Sequence, residues 1–194
     1  MRRTTIFNIY RPKKPNVELI GSSTVIKEQW ILLHELNRTE HSHDASTHDL
    51  IQAVKKKQHH NCYIITTIDG NESFISSKGG MAKLCRECKI YDPLHKNHGD
   101  EIESNTHITC FQRINFIFVS MKLLHLIEIC GITAFNECTH SDHRRMFIDI
   151  NKAGLLKDKQ IEIPYPFNCT LYSKYPQNIK KYKKYYKSNQ LNIT

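Results

Sequence analysis

Short runs of β-branched and aromatic residues alternate along the chain with longer segments in which apolar residues recur at helical spacing. The runs predict strands, because such side chains pack well on a pleated sheet. They cover residues 5–10, 62–68, 106–110, 113–119, 130–135 and 146–150. The strands predicted at 106–110 and 113–119 are close enough in the sequence to form a hairpin. Helices are predicted at residues 24–36, 48–58, 81–88 and 120–127, where capping residues precede amphipathic segments. This order, without a strict βαβ rhythm, is typical of a layered α/β or α+β domain with a mixed sheet.

The composition narrows the class of protein. A chain of 194 residues that is 39% apolar and 24% charged is neither collagen-like nor wholly disordered, and it can bury a core without disulfides. Its seven cysteines show no framework spacing, which predicts reduced thiols and an intracellular location, with nucleus and cytoplasm both open. No signal peptide is expected. The most apolar window, residues 114–135, contains Lys122, His125 and Glu128, so we expect no membrane span and no membrane partner.

Positive charge is prominent near the C-terminal end of the chain. The formal net charge is +9, which favours a polyanionic partner such as nucleic acid, and residues 163–194 contain no Asp or Glu. We interpret residues 152–175 as a linker and residues 176–194 as a basic, tyrosine-rich helical tail. Lysines neutralise phosphates and tyrosines stack on bases, so the tail predicts contacts with nucleic acid; a merely solvated helix is the alternative. The candidate residues are Lys180, Lys181, Tyr182, Lys183, Lys184 and Tyr185.

Two polar clusters lie at the ends of strongly apolar strands. Asp69 and Asn71 directly follow the strand predicted at 62–68, and Ser141, Asp142 and His143 precede the strand at 146–150. A carboxylate can hold Mg²⁺ or orient a water, an amide can bind a phosphate oxygen, and an imidazole can transfer a proton. Either cluster alone is ordinary loop chemistry. Together they suit phosphodiester hydrolysis.

Four motifs occur in a defined order between residues 6 and 150. They are Ile9-Tyr10-Arg11-Pro12, Asp69-Gly70-Asn71, the run from Arg113 to Ser120, and Ser141-Asp142-His143-Arg144. This ordered set resembles the endonuclease/exonuclease/phosphatase superfamily, whose members have the DNase-I-like fold, and especially its divergent retrotransposon-type copies. In that family the corresponding motifs are a strand-end Tyr-x-Pro, an Asp-x-Asn, an Arg-Ile-Asp strand and a closing Ser-Asp-His-Arg.

The resemblance implies a four-layered αββα sandwich over residues 1–151 and a Mg²⁺-dependent endonuclease of a mobile element that acts on nucleic acid, with DNA favoured. By the resemblance, Asp69 would position the attacking water or adjust the leaving group, and Asn71 would bind the phosphate. Tyr10 would approach the scissile phosphate. Asp142 would belong to the metal site, His143 would contact the phosphate or transfer a proton, and the adjacent Arg144 would contact nucleic acid.

Two departures from the family pattern predict an impaired enzyme. Asn115 stands where the family has the Asp that orients the catalytic His, and an amide cannot stabilise an imidazolium ion; the same change in a serine-protease triad costs about 10⁴ in rate. Only nine residues precede Tyr10, whereas the family's metal-binding Glu lies further upstream, so we expect a sandwich that is incomplete at the N-terminus. Whether the chain is an enzyme stays open. The alternative is an inactive remnant that binds nucleic acid non-specifically through its charge.

Two further groups of residues are expected to be structural. Cys85 and Cys88 have the spacing of half a zinc site, but no second pair with ligand spacing lies near them in the sequence, so we expect buried thiols. A set of histidines in polar segments is expected at the surface: His34, His41, His43, His48, His59 and His60.

Overall fold

A computed structural model of the protein describes residues 3–11, 24–74, 79–99, 105–135, 137 and 141–156. Its elements, in chain order, are β1 (Thr4–Tyr10), α1 (Thr24–Glu35), α2 (Ser42–His59), β2 (Tyr63–Asp69), α3 (Gly80–Cys88), β3 (Ile90–Tyr91), α4 (Pro93–His98), β4 (Asn115–Ser120), α5 (Met121–Leu124), β5 (Ile127–Ile132), β6 (Met146–Ile150) and α6 (Lys152–Leu156). Residues 152–156 of the predicted linker thus form α6. The remainder of the linker and the predicted basic tail lie outside the described residues.

Four strands form a mixed sheet in the order β1-β2-β4-β3. β1 runs parallel to β2, whereas β4 is antiparallel to both β2 and β3. β2 and β4 are buried along most of their length, because both faces of the sheet are covered there, and their sequences are accordingly continuous apolar runs. β1 lies at an edge of the described sheet and alternates between half-buried and exposed residues.

Different layers cover the two faces of this sheet. On one face α2 and α3 pack against alternate residues of β2 and β4, such as Ile64 and Phe116. On the other face the intervening residues, such as Ile65 and Ile117, pack with α5 and with the two-stranded antiparallel sheet of β5 and β6. Successive side chains of a strand point to opposite faces, so each central strand contributes to two cores. The described residues therefore form a mixed α/β fold.

Three predicted elements differ from those observed. α2 begins at Ser42 rather than at residue 48, so Thr47 is not its cap; the Thr47 hydroxyl instead donates to the carbonyl of His43 within the helix, at 3.1 Å. The predicted hairpin is wrong, because β4 pairs with β2 and β3, and His107 forms a single bridge with His143. The strand predicted at 130–135 lies at Ile127–Ile132, since α5 ends after one turn.

The expected surface histidines are exposed with one exception. His34, His41, His48, His59 and His60 are exposed. His43, in the first turn of α2, is buried, so the prediction for this residue is wrong. Within the described ranges, no helix has both the length and the apolar character needed to cross a membrane.

Of the two helical cysteines, Cys88 is buried as expected from the sequence, whereas Cys85 is only half-buried. Burial raises the pKa of both thiols, that of Cys88 to about 11. The Cys88 thiol also contacts the carbonyl of Ile51 at 3.8 Å, which holds it against α2. The raised pKa makes both thiols poor nucleophiles.

Cys88 should react with iodoacetamide about 100-fold more slowly in the native protein than in the denatured protein near neutral pH. The thiolate is the reacting species, and a rise of the pKa from 9.0 to about 11 lowers the thiolate fraction by about that factor. Timed alkylation followed by peptide mass spectrometry measures the rate for each cysteine. Equal rates in native and denatured protein would show that this thiol is not protected by the fold.

Candidate functional site

Three adjacent strands bring Tyr10, Asp69 and Asn115 to the same end of the four-stranded sheet. Tyr10 is the register partner of Asp69, and Asp69 is the register partner of Asn115. Register partners point to the same face of a sheet, so these side chains lie on the face that carries Ile65 and Ile117. Tyr10 is 62% exposed and is open to a ligand in solution.

The turn after β2 is tight and is fixed to the end of β1. The backbone N–H of Gly70 donates to the carbonyl of Ile114 at 2.8 Å, and a Cβ at Gly70 would come within 3.3 Å of that oxygen. Asn71 has a φ of 49°, a left-handed conformation that Asn adopts more readily than most residues. Its amide nitrogen donates to the carbonyl of Arg11 at 2.7 Å. The structure thus gives Asn71 a backbone contact, and its phosphate contact stays a prediction.

Arg11, directly after Tyr10, is only 1% exposed. Its Nη1 atom lies 2.7 Å from a carboxylate oxygen of Glu72, and its Nη2 atom donates to Nδ1 of His43 at 2.8 Å. The second carboxylate oxygen of Glu72 accepts the backbone N–H of Met81 in the first turn of α3, at 2.6 Å. Arg11 therefore joins β1, the turn after β2, α2 and α3 through one buried charged group. Its place in the Ile9-Tyr10-Arg11-Pro12 motif gave no sign of this burial.

The loop before β6 places His143 against Asn115. The amide nitrogen of Asn115 lies 2.8 Å from Nδ1 of His143, and the backbone N–H of His143 donates to the Ser141 hydroxyl at 3.1 Å. An amide that donates to Nδ1 leaves the ring proton on Nε2, whereas a carboxylate would accept a proton from Nδ1. Asn115 thus lies where a His-orienting group belongs, but it selects the opposite tautomer.

Two buried oxygen atoms at this end of the sheet lack a hydrogen-bond partner among the described residues. They are Oδ1 of Asp69 and Oδ1 of Asn115, which belong to a register pair. Buried acceptors are normally satisfied, so an unpartnered pair indicates a place where a cation, a water or a donor group of a ligand belongs.

His107 is a candidate residue that the sequence analysis missed. It forms an isolated antiparallel bridge with His143, flanked by backbone hydrogen bonds of 2.8 and 2.9 Å. The two rings meet edge to face with their centroids 4.6 Å apart, and Nε2 of His107 lies 3.2 Å from the Asp142 carboxylate. No sequence motif marks His107, because its bridge partner His143 lies 36 positions away along the chain.

Arg144 holds this loop to its neighbours. Its Nε atom donates to the carbonyl of Thr133 at 2.6 Å, and Nη1 donates to the carbonyl of Asn105 at 3.4 Å. The guanidinium also lies over the ring of Phe135, 5.4 Å from the centroid. The structure gives Arg144 a positioning role, and its contact with nucleic acid stays a prediction.

Mg²⁺, which the resemblance implies, would find carboxylate ligands at Asp69 and Asp142. Mg²⁺ is usually held by one or two carboxylates together with phosphate oxygens of a substrate, and the unpartnered oxygen of Asp69 fits that role. Asp142 fits it less well. Its carboxylate lies beside two imidazoles, and nitrogen donors suit transition metals rather than Mg²⁺.

The structure brings most of the predicted site together at one end of the sheet, namely Tyr10, Asp69, Asn115, Asp142 and His143. Asn71 lies beside them in the turn after β2. Neither the protein-family models nor the curated proteins compared with this chain match its sequence. The function of the site therefore has to follow from its own residues.

Proposed function

We propose that this end of the sheet is a phosphodiester-hydrolase site of the DNase-I type that acts on nucleic acid, as an impaired endonuclease domain of a mobile element. The observation that carries the proposal is that three of the predicted site residues are neighbours. Asp69 and Asn115 are register partners on adjacent strands, and the Asn115 amide contacts the His143 ring. Asp69, Asn115 and His143 come from segments far apart in the sequence, yet they meet in the order that the resemblance implies.

The finer fold belongs to the same proposal. A DNase-I-like domain is a four-layered αββα sandwich, and the arrangement of the described residues supports it in two respects. Two sheets pack face to face through the cluster that contains Ile65 and Ile148. Helices α2 and α3 cover the outer face of the larger sheet.

In this proposal each residue acts on a phosphodiester placed at the strand ends. Asp69 orients the attacking water through its carboxylate, and the Tyr10 hydroxyl donates a hydrogen bond to the phosphate. Because the Asn115 amide contacts Nδ1 of His143, the N–H of this ring is on Nε2, and it donates a hydrogen bond to a phosphate oxygen. Bound Mg²⁺ would neutralise negative charge on the phosphate.

The amide at position 115 supports impaired turnover. A neutral amide does not stabilise an imidazolium ion, and its N–H₂ group as oriented at Nδ1 pairs with the tautomer whose proton is on Nε2. The comparable exchange in a serine protease costs about 10⁴ in rate. The same observation favours the rival function, a domain that binds nucleic acid through its net charge of +9 and does not cleave it.

Replacing Asp69 with asparagine should abolish Mg²⁺-dependent nicking of supercoiled DNA, because the substitution removes the carboxylate that orients the water. Gel electrophoresis of the relaxed plasmid measures the rate. Asp149→Asn is the matched control, since it removes the same charge from an exposed position on β6 and should leave the rate unchanged.

Two outcomes would overturn the hydrolase. Nicking that survives Asp69→Asn would show that the activity arises elsewhere. Salt-sensitive binding of DNA by the unmodified protein without any turnover would establish the rival function.

A further inference from the structure

Three metal-ligating side chains converge where the loop before β6 meets residue 107. One donor atom from each of His107, Asp142 and His143 lies within 4.8 Å of the others. Nε2 of His107 is 3.2 Å from one carboxylate oxygen of Asp142, and Nε2 of His143 is 4.0 Å from the other. Ligands of one tetrahedral Zn²⁺ lie about 3.3 Å apart, given bonds of about 2.0–2.1 Å. Small rotations of the side chains would therefore bring all three donors onto one ion.

Both imidazoles direct Nε2 toward the Asp142 carboxylate. Nδ1 of His143 is occupied by Asn115 at 2.8 Å. Nδ1 of His107 accepts the backbone N–H of Thr109 at 3.2 Å and lies 2.9 Å from the Thr109 hydroxyl. A metal-bound histidine ordinarily donates its second ring N–H to an acceptor, so both rings have neighbours that hold them in place but must change tautomer when the ion binds. The backbone bridge between the two histidines fixes their separation.

The donor set and its exposure indicate which ion fits. Two imidazole nitrogens and one carboxylate suit Zn²⁺ and Co²⁺, whereas Mg²⁺ prefers oxygen ligands only. The side chains of His107, His143 and Asp142 are 20, 34 and 62% exposed, so an ion can enter from solvent and retain water in its remaining positions.

We propose that His107, Asp142 and His143 form a mononuclear site for a transition metal of the Zn²⁺ type. Each imidazole binds through Nε2, so its proton moves to Nδ1 and no net proton is released from a neutral ring. The Nδ1–H of His107 then donates to the Thr109 hydroxyl, and the backbone N–H of Thr109 gives up its hydrogen bond to that nitrogen. The proposal does not rest on the hydrolase, because binding requires neither nucleic acid nor turnover. Nε2 of His143 serves either the ion or a phosphate oxygen, so the two uses exclude each other in one molecule.

Binding also accounts for the unpartnered oxygen of Asn115. When the His143 proton moves to Nδ1, the Asn115 amide rotates by half a turn and accepts a hydrogen bond from Nδ1–H through Oδ1. The rotated amide nitrogen then has the carboxylate of its register partner Asp69 as an acceptor on the neighbouring strand. A metal would thereby convert two buried acceptors without partners into a connected network.

Titration of the metal-free protein with Co²⁺ tests the site, because the visible spectrum of Co²⁺ reports its ligands. We expect one equivalent to bind with the absorption of a nitrogen and oxygen donor set, and Zn²⁺ to displace it. His107→Ala and Asp142→Asn should each weaken binding at least about 10-fold, the loss that removal of even an outer partner causes. His125→Ala, at an exposed histidine after α5, is the control and should bind as the unmodified protein does.

A second measurement requires no variant. Addition of Zn²⁺ should shift the ring ¹⁵N resonances of His107 and His143 in the unmodified protein, and those of exposed His34 should not move. An intense sulfur-to-cobalt charge-transfer band would overturn the proposal, since it would place the ion on thiolates. Unchanged affinity in a folded His107→Ala protein, or unshifted ring resonances, would overturn it as well. The Asp69-dependent nicking with Mg²⁺ is measured separately, so either proposal can fail without the other.

Discussion

Replacing Arg11 with methionine should lower the free energy of unfolding by about 3–5 kcal/mol, the range observed when one partner of a buried ion pair is removed. Methionine fills much of the same volume but leaves the Glu72 carboxylate without its cation and Nδ1 of His43 without the guanidinium donor. The expected loss is a large part of the stability of an ordinary domain. Urea denaturation followed by circular dichroism measures it.

Arg38 offers a matched control on the surface. It pairs with Glu40 and Asp49, but it is accessible to water, so Arg38→Met should cost less than about 1 kcal/mol. A loss for Arg11→Met no larger than that for Arg38→Met would contradict the structural role assigned to Arg11.

The packing around Arg11 gives a second test of the same contact. A Cβ at Gly80 would collide with the guanidinium of Arg11, so Gly80→Ala should destabilise the protein. The loss should be smaller in the Arg11→Met background, because methionine can move aside. Strictly additive losses would show that the two residues do not share this contact.

Replacing Asn115 with aspartate should switch the tautomer of His143 and strengthen Co²⁺ binding about 10–100-fold, the range associated with partners of metal-bound histidines. A carboxylate only accepts hydrogen bonds, so the ring proton must move to Nδ1 and leave Nε2 free for the ion. Ring ¹⁵N shifts measure the tautomer, and the Co²⁺ titration measures the affinity. We expect Mg²⁺-dependent nicking to stay low, because Mg²⁺ must bind before His143 can act and this substitution does not supply the family's upstream metal-binding Glu.

The control for added charge is Gln52→Glu, at an exposed position of α2 on the opposite face of the large sheet, which should change neither quantity. If the affinity for Co²⁺ rose equally in Asn115→Asp and Gln52→Glu, the gain would come from the added negative charge and not from the tautomer of His143. A gain in nicking approaching 10⁴-fold with Asn115→Asp would show instead that the amide is the main defect of the hydrolase.

The strands were predictable because their signals are local. The continuous apolar runs that form β2 and β4 follow from burial of both faces of a strand, and both strands lie within one or two residues of the predicted bounds. Asp69 could also be found from the pattern, since it directly follows a strong strand, whereas Asn115 was identified only through the resemblance. Weaker signals failed at α2, where a polar first turn concealed six helical residues before position 48.

The sequence by itself determined the central strands β2 and β4 and the polar cluster that follows β2, because these depend on patterns within a few residues. The tertiary structure decided which polar residues are buried and which donors meet. Arg11 contacts His43, 32 positions away, and Asn115 contacts His143, 28 positions away. A charged or imidazole side chain carries no local sign of such a partner, and its burial is tolerated only once the folded chain supplies one. The His107–Asp142–His143 cluster arises in the same way, because a single backbone bridge brings its two histidines together.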